Sequence, residues 1–206
     1  MKKSLVLFLL LISLNGQAQN LIHSYSFKGY KISYPENCTV FFAETSNDGL
    51  SYSFLLRYYP SDYEYPQLMK VTISDNSLGK GLVSLLGIEN ELNSKEMSEL
   101  MVEILIESYI SNLSSSPRYY KVVRGNSNVL KDSYYFDYTA RFYNDKYLYE
   151  EKPNRITYQT MKGRVYSRDL GSYVITFEMQ VQEECDFSVL QKIANSLTKV
   201  SSSYGY

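Results

Sequence analysis

Leu50, Tyr52, Phe54, Leu56 and Tyr58 occupy alternate positions, with Ser51, Ser53 and Arg57 between them. That two-residue period predicts a strand with one buried face. The period returns near the far end of the chain, where Tyr173, Ile175, Phe177, Met179 and Val181 alternate with Thr176, Glu178 and Gln180. Residues 132–143 repeat it, placing Tyr134, Phe136, Tyr138, Ala140 and Phe142 on one face. Shorter runs predict strands over 27–34, 39–43 and 68–73, and one beginning at 119–123. Residues 155–167 read as one strand or as a tight hairpin about Lys162-Gly163. Asn47-Asp48-Gly49, Asn126-Ser127-Asn128 and Asp169-Leu170-Gly171 have turn composition. Residues 60–66 read as a Tyr-rich loop or hairpin end, and residues 144–153 as a charged loop. Residues 74–87 carry little signal, with a short helical turn at 82–86.

Two stretches have helical spacing instead. Residues 94–113 contain no Gly or Pro, and Asn93 with Glu96 makes a capping-box pair. Met97, Leu100, Met101, Ile104 and Leu105 predict the buried stripe of this helix. Glu96, Glu99, Glu103 and Glu107 predict a solvated one. Asp186 is placed to cap a second helix over 187–197, with Val189, Leu190, Ile193, Ala194 and Leu197 inward. The order of strands, long helix, antiparallel meander and terminal helix predicts an α+β fold, an antiparallel sheet flanked by helices.

The first residues have a different character. Lys2 and Lys3 precede an apolar run of about eleven residues, and Gly16 and Ala18 follow as small residues. This reads as a secretory signal peptide over 1–18, too short for a membrane anchor, which needs about 20 apolar residues. The mature chain is then expected to be periplasmic or secreted, with one domain over 19–200 and a frayed tail over 201–206. Of 21 basic side chains, Lys2 and Lys3 leave with the leader, so against 22 acidic ones the net charge is about −3. Lys and Arg are scattered along the sequence, which gives no support for nucleic-acid binding.

Twenty-two tyrosines and no tryptophan suit half-buried strands, or a Tyr-lined ligand surface. Cys38 and Cys185 permit one disulfide in an oxidising compartment. Closing so long a loop would stabilise by about 4–5 kcal/mol in the chain-entropy picture. His23 is the only histidine, so neither a paired-His metal site nor a triad has the residues it needs. The pairs Glu150-Glu151 and Glu183-Glu184 leave a carboxylate-dependent hydrolase open in principle. No catalytic residue, metal site or cofactor is expected.

Tyr30-Lys31-Ile32-Ser33-Tyr34-Pro35-Glu36-Asn37 resembles the opening of PsbP-like (DcrB-like) domains, a short aromatic strand running into a Pro turn. Gly171-Ser172-Tyr173-Val174-Ile175-Thr176-Phe177, then Asp186-Phe187 and Ile193-Ala194-Asn195-Ser196-Leu197, is similar to that family's last strand and helix. The resemblance implies an α-β-α sandwich, and a function of binding or assembly rather than catalysis. Where the family often has Trp after the Pro turn, this chain has Cys38, and a Cys38–Cys185 bridge would substitute for that anchor. The expected function is thus an exported, non-enzymatic envelope protein that binds a protein partner or aids complex assembly. The alternative is a binder of a glycan or lipid on a tyrosine-rich surface.

Overall fold

A computed structural model describes residues 21–63, 66–75, 94–116, 119–130, 133–143, 158–170 and 172–200. The leader at 1–18, the weak segment at 76–87, the loop at 144–153, the Glu150-Glu151 pair and the tail at 201–206 lie outside these residues. Among the described residues the architecture is α+β, and the chain divides into two compact units.

The smaller unit holds residues up to Glu36 and from Lys192 onward. Its hairpin joins β1 (His23–Phe27) to β2 (Tyr30–Tyr34), and the two-residue β10 (Thr198–Lys199) adds to the other side of β2. Residues 27–34 are therefore not one strand. Lys28 and Gly29 both take positive φ, 47° and 80°, the geometry of a two-residue hairpin turn. No Asn-Gly or Asp-Gly pair marks it in the sequence. The Ser196 hydroxyl closes this sheet, accepting from the Ser33 amide at 2.7 Å and donating to the Ser33 carbonyl at 3.1 Å.

The larger unit, Asn37–Gln191, is built on seven strands, each antiparallel to its neighbours. They are β3 (Cys38–Thr45), β4 (Ser51–Tyr58), β5 (Gln67–Asp75), β6 (Tyr119–Leu130), β7 (Ser133–Tyr143), β8 (Tyr158–Asp169) and β9 (Tyr173–Gln182). Their spatial order is β3-β4-β5-β9-β8-β7-β6. Helix α1 (Ser94–Ser115) connects β5 to β6, and α2 (Ser188–Asn195) follows β9. The Ser188 amide donates to Asp186 Oδ1 at 2.9 Å, so Asp186 does cap α2.

The core of this unit changes face across the sheet. On β4, β5 and β9 the buried residues are Phe54, Leu56, Met69, Val71, Ile73, Ile175, Phe177 and Met179. Cross-strand pairing puts them on one face. On β7 and β8 the buried Phe136, Tyr138, Ala140, Met161 and Val165 pair with each other and with Glu178 and Gln182 of β9, so they lie on the opposite face. Helix α1 covers that second face with Ile106, Tyr109, Ile110 and Leu113. The first face continues onto β7 and β8 as Asp137, Arg164 and Tyr135. There the Arg164 guanidinium holds Asp137 through two bonds of 2.7 and 3.0 Å and lies 4.9 Å from the Phe187 ring.

The structure corrects three other expectations and decides between the two readings of residues 155–167. Ile104 and Leu105 are 46% and 42% exposed, and among the described side chains of α1 the inward ones are Ile106, Tyr109, Ile110 and Leu113; Met97, Leu100 and Met101 lie outside the described side chains. On the outward side, Glu103 and Glu107 are not simply solvated: both bind Arg124 of β6, at 2.7 and 2.9 Å. Asn126-Ser127-Asn128 is a register irregularity within β6, not a turn. Lys162-Gly163 lies inside the continuous strand β8, because Gly163 sits beneath the ring of its partner Tyr138.

Candidate functional site

Chemistry is sparse among the described residues. No group of three or more metal-ligating side chains occurs there. The Ser46 hydroxyl and the Leu50 amide hold the Asp48 carboxyl below its ordinary range. The Arg124 guanidinium does the same for Glu103. Both shifts oppose what an acid catalyst requires. Glu183 and Glu184 sit exposed in the turn after β9.

Cys38 and Cys185 are both buried, free thiols, so the permitted disulfide is not present. The sheet order gives the reason. Cys38 opens β3, which is separated from β9 and the turn leading to Cys185 by both β4 and β5. A bridge needs Cα atoms about 4.4–6.8 Å apart, whereas three strand spacings are about 14 Å. Cys185 instead hydrogen-bonds Tyr63. That contact, reinforced by the charges of Glu184 and Asp62, raises the Tyr63 phenol above its ordinary pKa.

Above about pH 9 the protein is expected to lose stability progressively. Burial pushes the Cys38 thiol up to about 12. Burial also raises the phenols of Tyr109 and Tyr134, with Tyr138 and Glu178 adding to the rise at Tyr109. Each group stays protonated in the folded chain at pH values where the unfolded chain has released its proton. The unfolded state then binds fewer protons, so stability falls as pH rises past the ordinary values of 9.0 for the thiol and 10.0 for the phenols. Urea midpoints measured from about pH 7 to about pH 11 test this, and a flat profile contradicts it.

The arrangement best suited to contact another molecule lies along the β3–β4 hairpin. The Arg57 guanidinium sits 4.1 Å from the Phe41 ring centroid and 6.0 Å from that of Tyr59, and its Nη1 donates to Tyr59 Oη at 3.0 Å. Arg57 Nε is buried with no hydrogen-bond partner, so the Phe41 ring and the bond to Tyr59 are what hold this side chain. Tyr59 is fixed in turn by Asn37. Its amide donates to the Asn37 carbonyl at 3.0 Å, and its carbonyl accepts from Asn37 Nδ2 at 2.8 Å. A register shift between Phe41 and Ala43 makes room for Phe42, which takes φ 53° and is 63% exposed. Tyr59 and Tyr63 are exposed as well. Left-handed backbone costs a non-glycine residue about 1–2 kcal/mol. Phe42 thus bears both strain and an unburied ring on the edge strand of the sheet. The sequence located the 60–66 loop but not this ladder, because only the bulge and the β3–β4 register bring Phe41, Arg57 and Tyr59 together.

No family model and no curated protein matches the chain. Several solved structures are similar to it. A crystal structure from Bacteroides thetaiotaomicron shares 10% identity at TM-score 0.47, covering 91% of this chain. The match takes in 52% of that protein, so the chain spans about half its length. The solution structure of the cyanobacterial PsbP of Synechocystis shares 13% identity at TM-score 0.47, covering 86% of this chain and 91% of that one. The Ran-binding protein Mog1p of Saccharomyces cerevisiae shares 9% identity at TM-score 0.42, covering 86% and 95%.

Proposed function

We propose that this chain is an exported, non-enzymatic protein that binds a partner protein through the edge of its β3–β4 hairpin. The carrying observation is the Phe41–Arg57–Tyr59 ladder beside the strained, exposed Phe42. Tyr, Phe and Arg are the side chains enriched at protein interfaces, and a guanidinium already immobilised between rings loses little freedom on binding. The bulge at Phe42 also interrupts the open edge against unspecific strand pairing. Export rests on the leader, and the absence of catalysis on the lone histidine and on the carboxylates described above.

Crosslinking in producing cells, followed by mass spectrometry, tests this. The native chain is expected to yield a stoichiometric protein partner. Phe42→Gly removes the ring and relieves the backbone together, so it should lose the partner while gaining about 1 kcal/mol of stability. Tyr59→Ala should weaken capture as well. Unchanged capture by the Phe42→Gly/Tyr59→Ala double variant would overturn the proposal.

A further inference from the structure

At the opposite edge of the seven-stranded sheet, Lys121 of β6 and Arg141 of β7 are direct cross-strand partners, and Val123 and Thr139 form another such pair two residues along. Lys162 of β8 is paired with Thr139 from the other side. Paired residues share a face, as do residues two apart on one strand, so all five side chains leave the same face. Lys121, Val123, Thr139 and Arg141 line an open depression of about 260 Å³.

The charges here are uncompensated by any described residue. Like charges directly opposite on a sheet destabilise it, and Lys121 faces Arg141 at Cβ separations of about 5 Å. Among the described residues, neither of them, nor Lys162, has a hydrogen bond or ion pair. Asp137, on the same face, is already held by Arg164 at 2.7 and 3.0 Å. Elsewhere the fold does supply partners, since Arg124 binds both Glu103 and Glu107.

We propose that this depression binds an oxyanion group, phosphate or carboxylate. The planar fork of Arg141 would grip two of its oxygens, Lys121 and Lys162 would supply point charges, and the Thr139 hydroxyl a further donor. The site is independent of the aromatic ladder and shares no residue with it.

Backbone amide shifts of the isotope-labelled mature chain, titrated separately with inorganic phosphate, glutarate and potassium chloride, test the inference. Phosphate or glutarate should produce saturable shifts at residues 121, 139, 141 and 162, and the better of the two identifies the group. Potassium chloride should not. Arg141→Ala and Lys121→Ala should each weaken binding about tenfold, the loss of one charge-assisted bond. Arg168→Ala, a cation on the same face beside neither Lys121 nor Arg141, should leave it unchanged. A second readout separates binding from folding: Lys121→Ala should raise the melting temperature of the free protein by removing repulsion. Absence of saturable shifts with both anions, or equal weakening by Arg168→Ala, would overturn the site.

Discussion

Gly163→Ala is expected to cost about 3 kcal/mol of folding stability. A Cβ at this position would stand 1.9 Å from Cζ of Tyr138 and 2.2 and 2.4 Å from its two Cε atoms. No small adjustment absorbs that overlap. The Tyr138 ring is 2% exposed, packs at 5.8 Å from the Tyr109 ring, and its hydroxyl accepts from Gln180 Nε2 at 2.9 Å. To admit one methyl group, the ring must leave the layer between α1 and the sheet and abandon that bond. The substitution would be mild on an open strand, where alanine is preferred to glycine. The sign therefore depends on Tyr138, and a double-mutant cycle reads this directly. Tyr138→Ala alone should cost about 3–5 kcal/mol, but in that background Gly163→Ala should be neutral or favourable. Chemical denaturation of the four proteins gives the answer. A Gly163→Ala protein within about 0.5 kcal/mol of the parent would show that the ring does not lie where the structure places it.

Phe177→Ala is expected to cost about 3–5 kcal/mol. Phe177 is wholly buried on β9, opposite Val71 on one side and against the Tyr166 ring at 6.3 Å on the other. Phe136 is equally buried, on the face beneath α1, with its ring 5.4 Å from that of Tyr109. The two phenylalanines stand on strands two spacings apart, about 10 Å, and point to opposite sides of the sheet. Their truncations should therefore add to within about 0.5 kcal/mol. Hydrogen exchange should show Phe136→Ala loosening α1 and Phe177→Ala loosening β5. Strong coupling between them would contradict a core that changes sides between β8 and β9.

That change of sides explains which parts of the structure were legible in the sequence. Strands β4, β7 and β9 each bury every second residue, so the two-residue period revealed them and their inward faces. The period shows which residues of a strand share a face, but not whether neighbouring strands bury the same one. Register decides that, and register comes from pairing across the sheet. The outward turn of Ile104 and Leu105 on α1 has a similar origin. Ile104, Leu105 and Ile106 are all apolar, and which of them turns inward is set by the surface presented by Phe136, Tyr138 and Val165. Gly163 resembled a turn because an isolated glycine and a tight bend look the same in one dimension. Both candidate surfaces were hidden for the same reason. Phe41 and Arg57 are distant in sequence, as are Lys121, Arg141 and Lys162, and only strand pairing makes them neighbours. The capped second helix, by contrast, announced itself locally through Asp186.

The closure of the smaller sheet by β10 and Ser196 carries a consequence for how the protein is made. Ser33 waits for a hydroxyl 163 residues further along, and Lys31 for a strand 167 residues away. A hairpin synthesised early is thus left with an open side for most of translation. Contacts at such separation form late, since loop closure must be achieved before they stabilise anything. The seven-stranded sheet of the larger unit contains none of these strands, so its core does not wait for β10. In this fold the first-made hairpin and the last-made strand are finished together.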